Sequence, residues 1–142
     1  MPREIDVPWA ELRTAAQDAS RMAYAPYSNF SVGAAGLVDD GRIVSGCNVE
    51  NASYGLTLCA ECGMVSDLHR SGGGRLVAVM VTDPDGNLLA PCGRCRQLLH
   101  EAGGPDCVVN EHTTAGELLP GAFELPAPLA VPGVSERRGA GG

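Results

Sequence analysis

The sequence predicts an α/β protein in which one sheet is covered by helices. A helical segment and a strand hairpin come first, and helical segments then alternate with strands, an order typical of this class. The chain has 142 residues, which suits one domain, and we assign that domain to residues 1–124. Pro and Gly are frequent beyond it, so residues 125–142 are expected to form a disordered tail.

The first half of the chain predicts a helix followed by a hairpin. A helix is expected over residues 8–24, because Pro8 suits a first helical turn and the apolar residues after it recur at helical spacing. Strands are expected over residues 30–38 and 42–49. The turn Asp39-Asp40-Gly41 between them indicates that they pair antiparallel.

The next segment predicts a second helix and a buried strand. Thr57 is a candidate N-cap for a helix over residues 58–70, which a run of glycines ends. Residues 76–81 are almost continuously apolar, which is typical of a strand covered on both faces. A short strand is expected over residues 88–90.

The last elements follow from helix-start signals. Pro91 suits the start of a helix over residues 92–102, and a short strand is expected over residues 107–110. Thr114 and Glu117 have the spacing of a capping box, which predicts one final helical turn.

Composition excludes several function classes. The net charge is −7 and the chain contains no Lys, so Schiff-base catalysis and a P-loop lysine are excluded. The negative charge also argues against binding along a nucleic-acid backbone. No apolar run approaches the roughly 18 residues that would cross a bilayer, and no signal peptide is recognised at the N-terminus. We therefore expect a cytoplasmic protein that acts on a small neutral ligand, without a membrane or nucleic-acid partner.

Two C-x-x-C pairs, Cys59/Cys62 and Cys92/Cys95, carry the main chemical signal. In a chain expected to be cytoplasmic, this pattern indicates a thiolate metal site suited to zinc. The spacing leaves two alternatives open: a structural site of four cysteines, or a three-cysteine site with a position left for water. Glu61 favours the second, because a carboxylate outside the coordination shell can act as acid and base.

The order of these residues resembles a known signature. Cys59-Ala60-Glu61 followed by Pro91-Cys92-Gly93-Arg94-Cys95 resembles that of the zinc nucleobase deaminases. Residues 27–35, 48–55 and 95–97 are similar to motifs of the homotetrameric cytidine deaminases that act on free nucleosides, and the likeness extends over residues 27–123. It implies a three-layer α/β/α fold with a five-stranded mixed sheet. It also implies hydrolysis of cytidine and deoxycytidine to uridine and deoxyuridine in pyrimidine salvage.

The resemblance further implies which residues perform the chemistry. Cys59, Cys92 and Cys95 would hold one Zn²⁺ per subunit, and Glu61 would be the proton shuttle while zinc hydroxide attacks C4 of the cytosine ring.

Substrate contacts are implied in the same way. Asn48 and Glu50 would hydrogen-bond the sugar hydroxyls, Phe30 would pack against the nucleoside, and the backbone at Ala60 would contact the edge of the pyrimidine.

Three further residues would act between subunits. Ala52 and Tyr54 would reach into a neighbouring subunit's site, and Phe123 would stack on the base from another subunit. The resemblance thus implies a homotetramer whose sites are completed by neighbouring subunits.

One position departs from the family pattern. An Arg usually follows the catalytic Glu and hydrogen-bonds the ligand thiolates, but this chain has Cys62 there. Arg94 and Arg96 are both candidates to offset the missing charge. A deaminase of a cytosine nucleoside antibiotic is the alternative substrate class, since such enzymes share the three-cysteine arrangement.

Overall fold

The computed structural model describes residues 6–126, in which a helix and a strand hairpin come first and further helices and strands follow. The elements are α1 (Trp9–Ser20), β1 (Gly33–Val38), β2 (Ile43–Cys47), α2 (Ala60–Arg70), β3 (Leu76–Thr82), α3 (Gly93–Gly103), β4 (Val108–Val109), β5 (Thr113–Thr114) and α4 (Ala115–Leu118). A single 3₁₀ turn, Tyr54–Leu56, precedes α2. The tail expected over residues 125–142 lies outside the described residues, apart from its first two.

The strands form one five-stranded mixed sheet with the order β2-β1-β3-β4-β5. β1 pairs antiparallel with both β2 and β3, β3 and β4 are parallel, and β4 and β5 are antiparallel. Leu37 lies opposite Ile43 at the hairpin end, so the predicted β1–β2 hairpin is confirmed. The five-stranded mixed sheet implied by the resemblance is confirmed as well.

Helices cover both faces of the sheet. On one face, Leu12 and Ala16 of α1 pack against Met80 of β3. On the other, Met64 of α2 and Leu99 of α3 belong to a second core cluster that includes alternate residues of β1 and β3. Because successive strand residues point to opposite faces, β3 contributes to both clusters, and all of its residues except the partly buried Val77 are buried, as its apolar run predicts. The result is the three-layer α/β/α arrangement.

The start of α2 lies directly against β2. A Cβ atom at Gly46 would be 2.6 Å from the Ala60 carbonyl oxygen, a separation that no side chain could tolerate. Glycine therefore allows β2 and the first turn of α2 to approach backbone to backbone. This contact places residues 59–61 at the end of the sheet, where the candidate site forms.

The first helix is shorter than expected because its last predicted residues pair elsewhere. α1 ends at Ser20, and Tyr24 bridges to Val49, with its N–H donating to the Asn48 carbonyl at 3.1 Å. The Tyr24 carbonyl in turn accepts from the Glu50 N–H at 2.8 Å. These long-range bonds replace the last helical turn.

Two short segments also differ from expectation. Residues 88–90 do not form a strand: Leu88 makes only an isolated bridge to Thr82, with one further bond from Leu89 N–H to the Val81 carbonyl. The two-residue strand β5 has no counterpart among the predictions. The predicted cap at Thr114 is confirmed, since its hydroxyl accepts from the Glu117 N–H at 3.2 Å. Within residues 6–126, no helix combines the length and the apolar character needed to cross a membrane.

Candidate metal centre and adjoining pocket

Two helix N-termini bring three cysteines together. Cys59 is the N-cap of α2 and Cys92 is the N-cap of α3, each with an extended backbone, and the buried Cys95 lies in the first turn of α3. Thr57, the predicted N-cap of α2, lies two residues before the actual cap, so that prediction is wrong. The positive ends of both helix dipoles face the sulfur atoms, which favours thiolates.

The cysteine cluster has the dimensions of a zinc site. The Sγ atoms of Cys59, Cys92 and Cys95 all lie within 4.8 Å of one another, and those of Cys59 and Cys92 are 3.8 Å apart. Sulfur atoms bound tetrahedrally at about 2.3 Å from zinc are separated by about 3.8 Å. The donor set therefore fits a soft divalent metal. Among the described residues, Cys62 does not join this cluster, which favours the three-cysteine alternative over the four-cysteine one.

The ionisation of these thiols is linked to metal binding. Burial raises the pKa of the Cys59 and Cys95 thiols. Burial acts in the same direction at Cys92, but hydrogen bonds from the Cys95 backbone N–H and thiol outweigh it, so the pKa of Cys92 is lowered. Because a coordinated thiol is deprotonated, a metal entering this cluster would release protons.

Glu61 lies beside the cluster in the first turn of α2, and only 3% of it is exposed. Burial raises the pKa of its carboxyl, and a hydrogen bond from the Cys95 thiol offsets this only in part. A carboxyl group whose pKa is raised by burial accepts a proton more readily and can return it.

A pocket of about 210 Å³ adjoins the cysteines. Its wall brings together six of the predicted site residues: Phe30, Asn48, Cys59, Ala60, Glu61 and Cys92. Val81 and the segment 89–90 supply apolar lining, and sequence reasoning assigned them no such role. The wall thus combines apolar surface with one carboxyl group and one amide beside the candidate metal ligands.

Asn48 holds the segment that carries Phe30. It is 8% exposed, and its side-chain oxygen accepts from the Val32 N–H at 2.8 Å while its Nδ2 donates to the Phe30 carbonyl at 2.9 Å. The amide group has one further hydrogen available for a ligand. Asn48 therefore forms part of the pocket wall and also holds the backbone of Phe30, another residue of that wall.

Glu50 does not line the pocket but anchors the loop beside it. Its Oε1 accepts from the Tyr27 and Ser28 N–H groups at 3.0 and 3.1 Å, and its Oε2 accepts from the Ser28 hydroxyl. The hydroxyl bond is the main reason that the pKa of Glu50 lies below its usual value. These bonds use three of the carboxylate's roughly four lone-pair sites and leave one on Oε2 for a further donor.

Ala52, Tyr54 and Phe123 lie at the surface, away from the wall of this pocket. Tyr54 is 79% exposed and Phe123 is 68% exposed. The Phe123 backbone is held by the side chain of Gln97, whose Nε2 donates to its carbonyl at 2.9 Å and whose Oε1 accepts from its N–H at 3.3 Å. The structure does not bring these three residues into the chain's own site, and large exposed rings of this kind are typical of binding surfaces.

Two supporting residues were missed in the sequence although they lie inside the motifs quoted for the resemblance. Ser28 orients Glu50, and its hydroxyl also accepts from the Phe30 N–H at 3.0 Å. Gln97 orients Phe123. A short turn at residues 28–30 is visible in sequence as a Ser that can bond to the backbone two residues later. The Gln97 contact joins distant segments and has no local signal.

Comparison with known proteins identifies similar chains. Residues 9–111 match the family model described as the cytidine and deoxycytidylate deaminase zinc-binding region. The chain is 57% identical over 123 residues to a cytidine deaminase of Mycobacterium tuberculosis, covering 84% of this chain and 92% of that relative. It is 43% identical over 109 residues to a cytidine deaminase of Halalkalibacterium halodurans, covering 71% and 83% of the two chains. The crystal structure of cytidine deaminase from Mycobacterium tuberculosis superposes with a TM-score of 0.82, at 57% identity, covering 84% of this chain and all of that one.

Proposed function

The chain belongs to the cytidine and deoxycytidylate deaminase family, and from this premise we propose that it hydrolyses cytidine and deoxycytidine to uridine and deoxyuridine. Water replaces the amino group at C4 of the base, and ammonia leaves. The observation that carries the proposal is the cluster of three thiols within 4.8 Å of one another, two of which, those of Cys59 and Cys92, line the same pocket as the buried Glu61. The reaction belongs to pyrimidine salvage, and the free thiols of the chain suit the reducing cytoplasm.

Cys59, Cys92 and Cys95 are the residues that would hold one zinc ion per chain. Three protein ligands leave the fourth tetrahedral position open, as in other catalytic zinc sites. When bound, zinc supplies a nucleophile at neutral pH by lowering the pKa of water. The two helix N-termini hold the thiolates in place and partly stabilise their charge.

Glu61 would move the protons of the reaction. Its carboxylate would take one proton from the attacking water and give it to N3 of the cytosine ring. It would then take the remaining proton of the added hydroxyl and deliver it to the departing amino group, which leaves as ammonia. Burial supports this role because it raises the pKa of the carboxyl, which makes the group a better proton acceptor. Cys59 is the N-cap of the helix that carries Glu61, so the metal ligand and the proton carrier are held close together at one helix end.

Residues of the pocket wall and of the loop beside it would bind the nucleoside. Asn48 can donate its free amide hydrogen to a sugar hydroxyl, and Glu50 can accept from one with an unused lone pair. Phe30 would pack against the nucleoside. The first N–H groups of α2, including that of Ala60, have no partner within the helix and can donate to the edge of the pyrimidine.

The assembly would be a homotetramer in which neighbouring subunits complete each site. Phe123 and Tyr54 are too exposed to serve a site within their own chain, and a second copy of the chain is the partner that would cover them. Tyr54 also contacts Tyr27 edge to face, with ring centroids 6.3 Å apart, so the exposed aromatic surface continues to the loop beside the pocket. Ala52 lies on the same exposed loop.

Turnover and zinc content measured on one sample test the proposal. Cytidine and deoxycytidine are each mixed with the protein, and conversion is followed by ultraviolet absorbance. One zinc per chain with conversion of both nucleosides is the expected result. Zinc at this level without conversion of either nucleoside would contradict the proposal and direct attention to modified cytosine nucleosides.

A further inference from the structure

The candidate zinc site carries an excess of negative charge. Three thiolates around Zn²⁺ leave a net charge of −1, and Glu61 adds a second acidic group next to Cys95. The residue after Glu61 is the uncharged Cys62. A partly buried negative centre of this kind is stabilised by a cation close by.

Arg94 supplies a positive charge at this point. It lies in the first turn of α3, between the candidate ligands Cys92 and Cys95, but its side chain crosses to the start of α2. Its Nη2 is 3.9 Å from the Cys59 sulfur, 3.9 Å from the Cys62 sulfur and 3.3 Å from the Thr57 carbonyl oxygen. One guanidinium therefore contacts the ligand thiol, its neutral neighbour and the backbone that leads to α2.

Arg96 is directed elsewhere although it is equally near in sequence. Its Nε donates to the Pro91 carbonyl at 3.0 Å and its Nη1 donates to the Leu118 carbonyl at 3.1 Å. These bonds fasten α4 to the start of α3. Within residues 6–126, Arg94 is the arginine whose side chain hydrogen-bonds to cysteine sulfur atoms.

We propose that Arg94 is a positioning residue that offsets the excess negative charge of the three-thiolate zinc site and thereby slows the loss of zinc. This rests on the zinc site proposed above. Cys62 is part of the arrangement, because a small neutral side chain leaves space for the guanidinium to reach Cys59. The charge thus comes from α3 and acts on a ligand carried by α2.

Release of zinc to a chromogenic chelator tests the proposal without relying on activity. Loss of a group that supports a metal ligand typically costs about 10–100-fold in metal affinity. We therefore expect Arg94→Ala to release zinc about 10–100-fold faster than the wild-type chain. Arg13→Ala is the matched control, because Arg13 is exposed on α1, which covers the opposite face of the sheet. It should release zinc at the wild-type rate.

Two further substitutions test whether zinc is retained by the charge of Arg94 or by its hydrogen bond to the Thr57 carbonyl. Arg94→Gln keeps a donor for the Thr57 carbonyl without the charge, and should release zinc quickly. Arg94→Lys keeps the charge and should release it slowly. Fast release from Arg94→Ala together with slow release from Arg94→Gln would overturn the proposal, as would wild-type release from Arg94→Ala.

A compensating variant gives an independent check. In the Arg94→Ala background, Cys62→Arg returns a guanidinium to the place where the two side chains now touch, and it should restore slow release. Failure to restore it would count against a role based on charge at this place. A wild-type chain that holds zinc but does not deaminate cytidine would overturn the proposed function, whereas the order of zinc release among the variants would still decide the role of Arg94.

Discussion

Replacing Glu61 by Gln isolates the proton transfers from the rest of the site. The amide has nearly the same volume as the carboxyl group, so the substitution leaves no cavity at a position that is 3% exposed. Glu61 does not belong to the cysteine cluster, and the three sulfur atoms keep their places. We therefore expect the variant to fold and to bind one zinc per chain.

The size of the effect follows from the lost chemistry. A positioned acid–base group contributes about 10²–10⁴-fold to a rate. At about 1.36 kcal/mol per factor of ten, this corresponds to about 2.7–5.4 kcal/mol of barrier height. In the proposed mechanism Glu61 would serve more than one proton transfer, but through one carboxyl group, so the losses are not expected to multiply. We expect kcat to fall by about 10²–10⁴-fold, and by more than KM changes.

The assay follows the absorbance change of cytidine at saturating substrate, with zinc measured on the same sample. Glu11→Gln is the matched control, since Glu11 is an exposed acidic residue in the first turn of α1, as Glu61 is in the first turn of α2. It should retain the wild-type kcat. A zinc-loaded Glu61→Gln variant whose kcat stays within tenfold of the wild type would refute the proton-shuttle role.

Three other outcomes are expected. Cys62→Ala should keep zinc because Cys62 lies outside the cluster. Cys59→Ala should lose both zinc and thermal stability, since metal binding contributes to folding. Equal loss of zinc from both variants would revive the four-cysteine alternative. Phe123→Ala should raise KM by about 5–150-fold, because base stacking on an aromatic ring is worth about 1–3 kcal/mol. A chain that is monomeric by light scattering and fully active in the kinetic assay would argue against shared sites. Ser28→Ala should raise the pKa of Glu50 towards 4.5, as followed by carboxyl NMR. Because the pKa of Glu50 is lowered in the folded state, this contact stabilises the fold at pH values above 4.5, and the stabilisation is lost as the pH falls through the folded-state pKa. An unchanged titration of Glu50 in the Ser28→Ala variant would refute the contact.

Segments with a strong local pattern could be predicted well. The apolar run of β3 is buried on both faces, and the turn at residues 39–41 joins β1 and β2 in an antiparallel hairpin. Such features depend on residues close together in the chain. The end of α1 could not be predicted, because the pairing of Tyr24 with Val49 decides it and that contact joins segments far apart in sequence. The prediction of a strand at residues 88–90 was wrong for a related reason, since the segment is joined to β3 by the isolated Leu88–Thr82 bridge and the hydrogen bond from the Leu89 N–H to the Val81 carbonyl instead of a regular ladder.

The candidate site shows the same division. Residue types and spacing indicated a thiolate metal site with Glu61 beside it but left a four-cysteine and a three-cysteine site open, and the resemblance to the deaminase signature implied Cys59, Cys92 and Cys95 as the ligands. Only the tertiary structure separated Cys59 from Cys62, since Cys59 has the extended backbone of an N-cap that faces α3 and Cys62 lies inside the following helical turn. Only the tertiary structure distinguished Arg94 from Arg96, because neighbours two residues apart on a helix point in different directions. Sequence thus determined which chemical groups are present, and packing between α2 and α3 decided which of them meet.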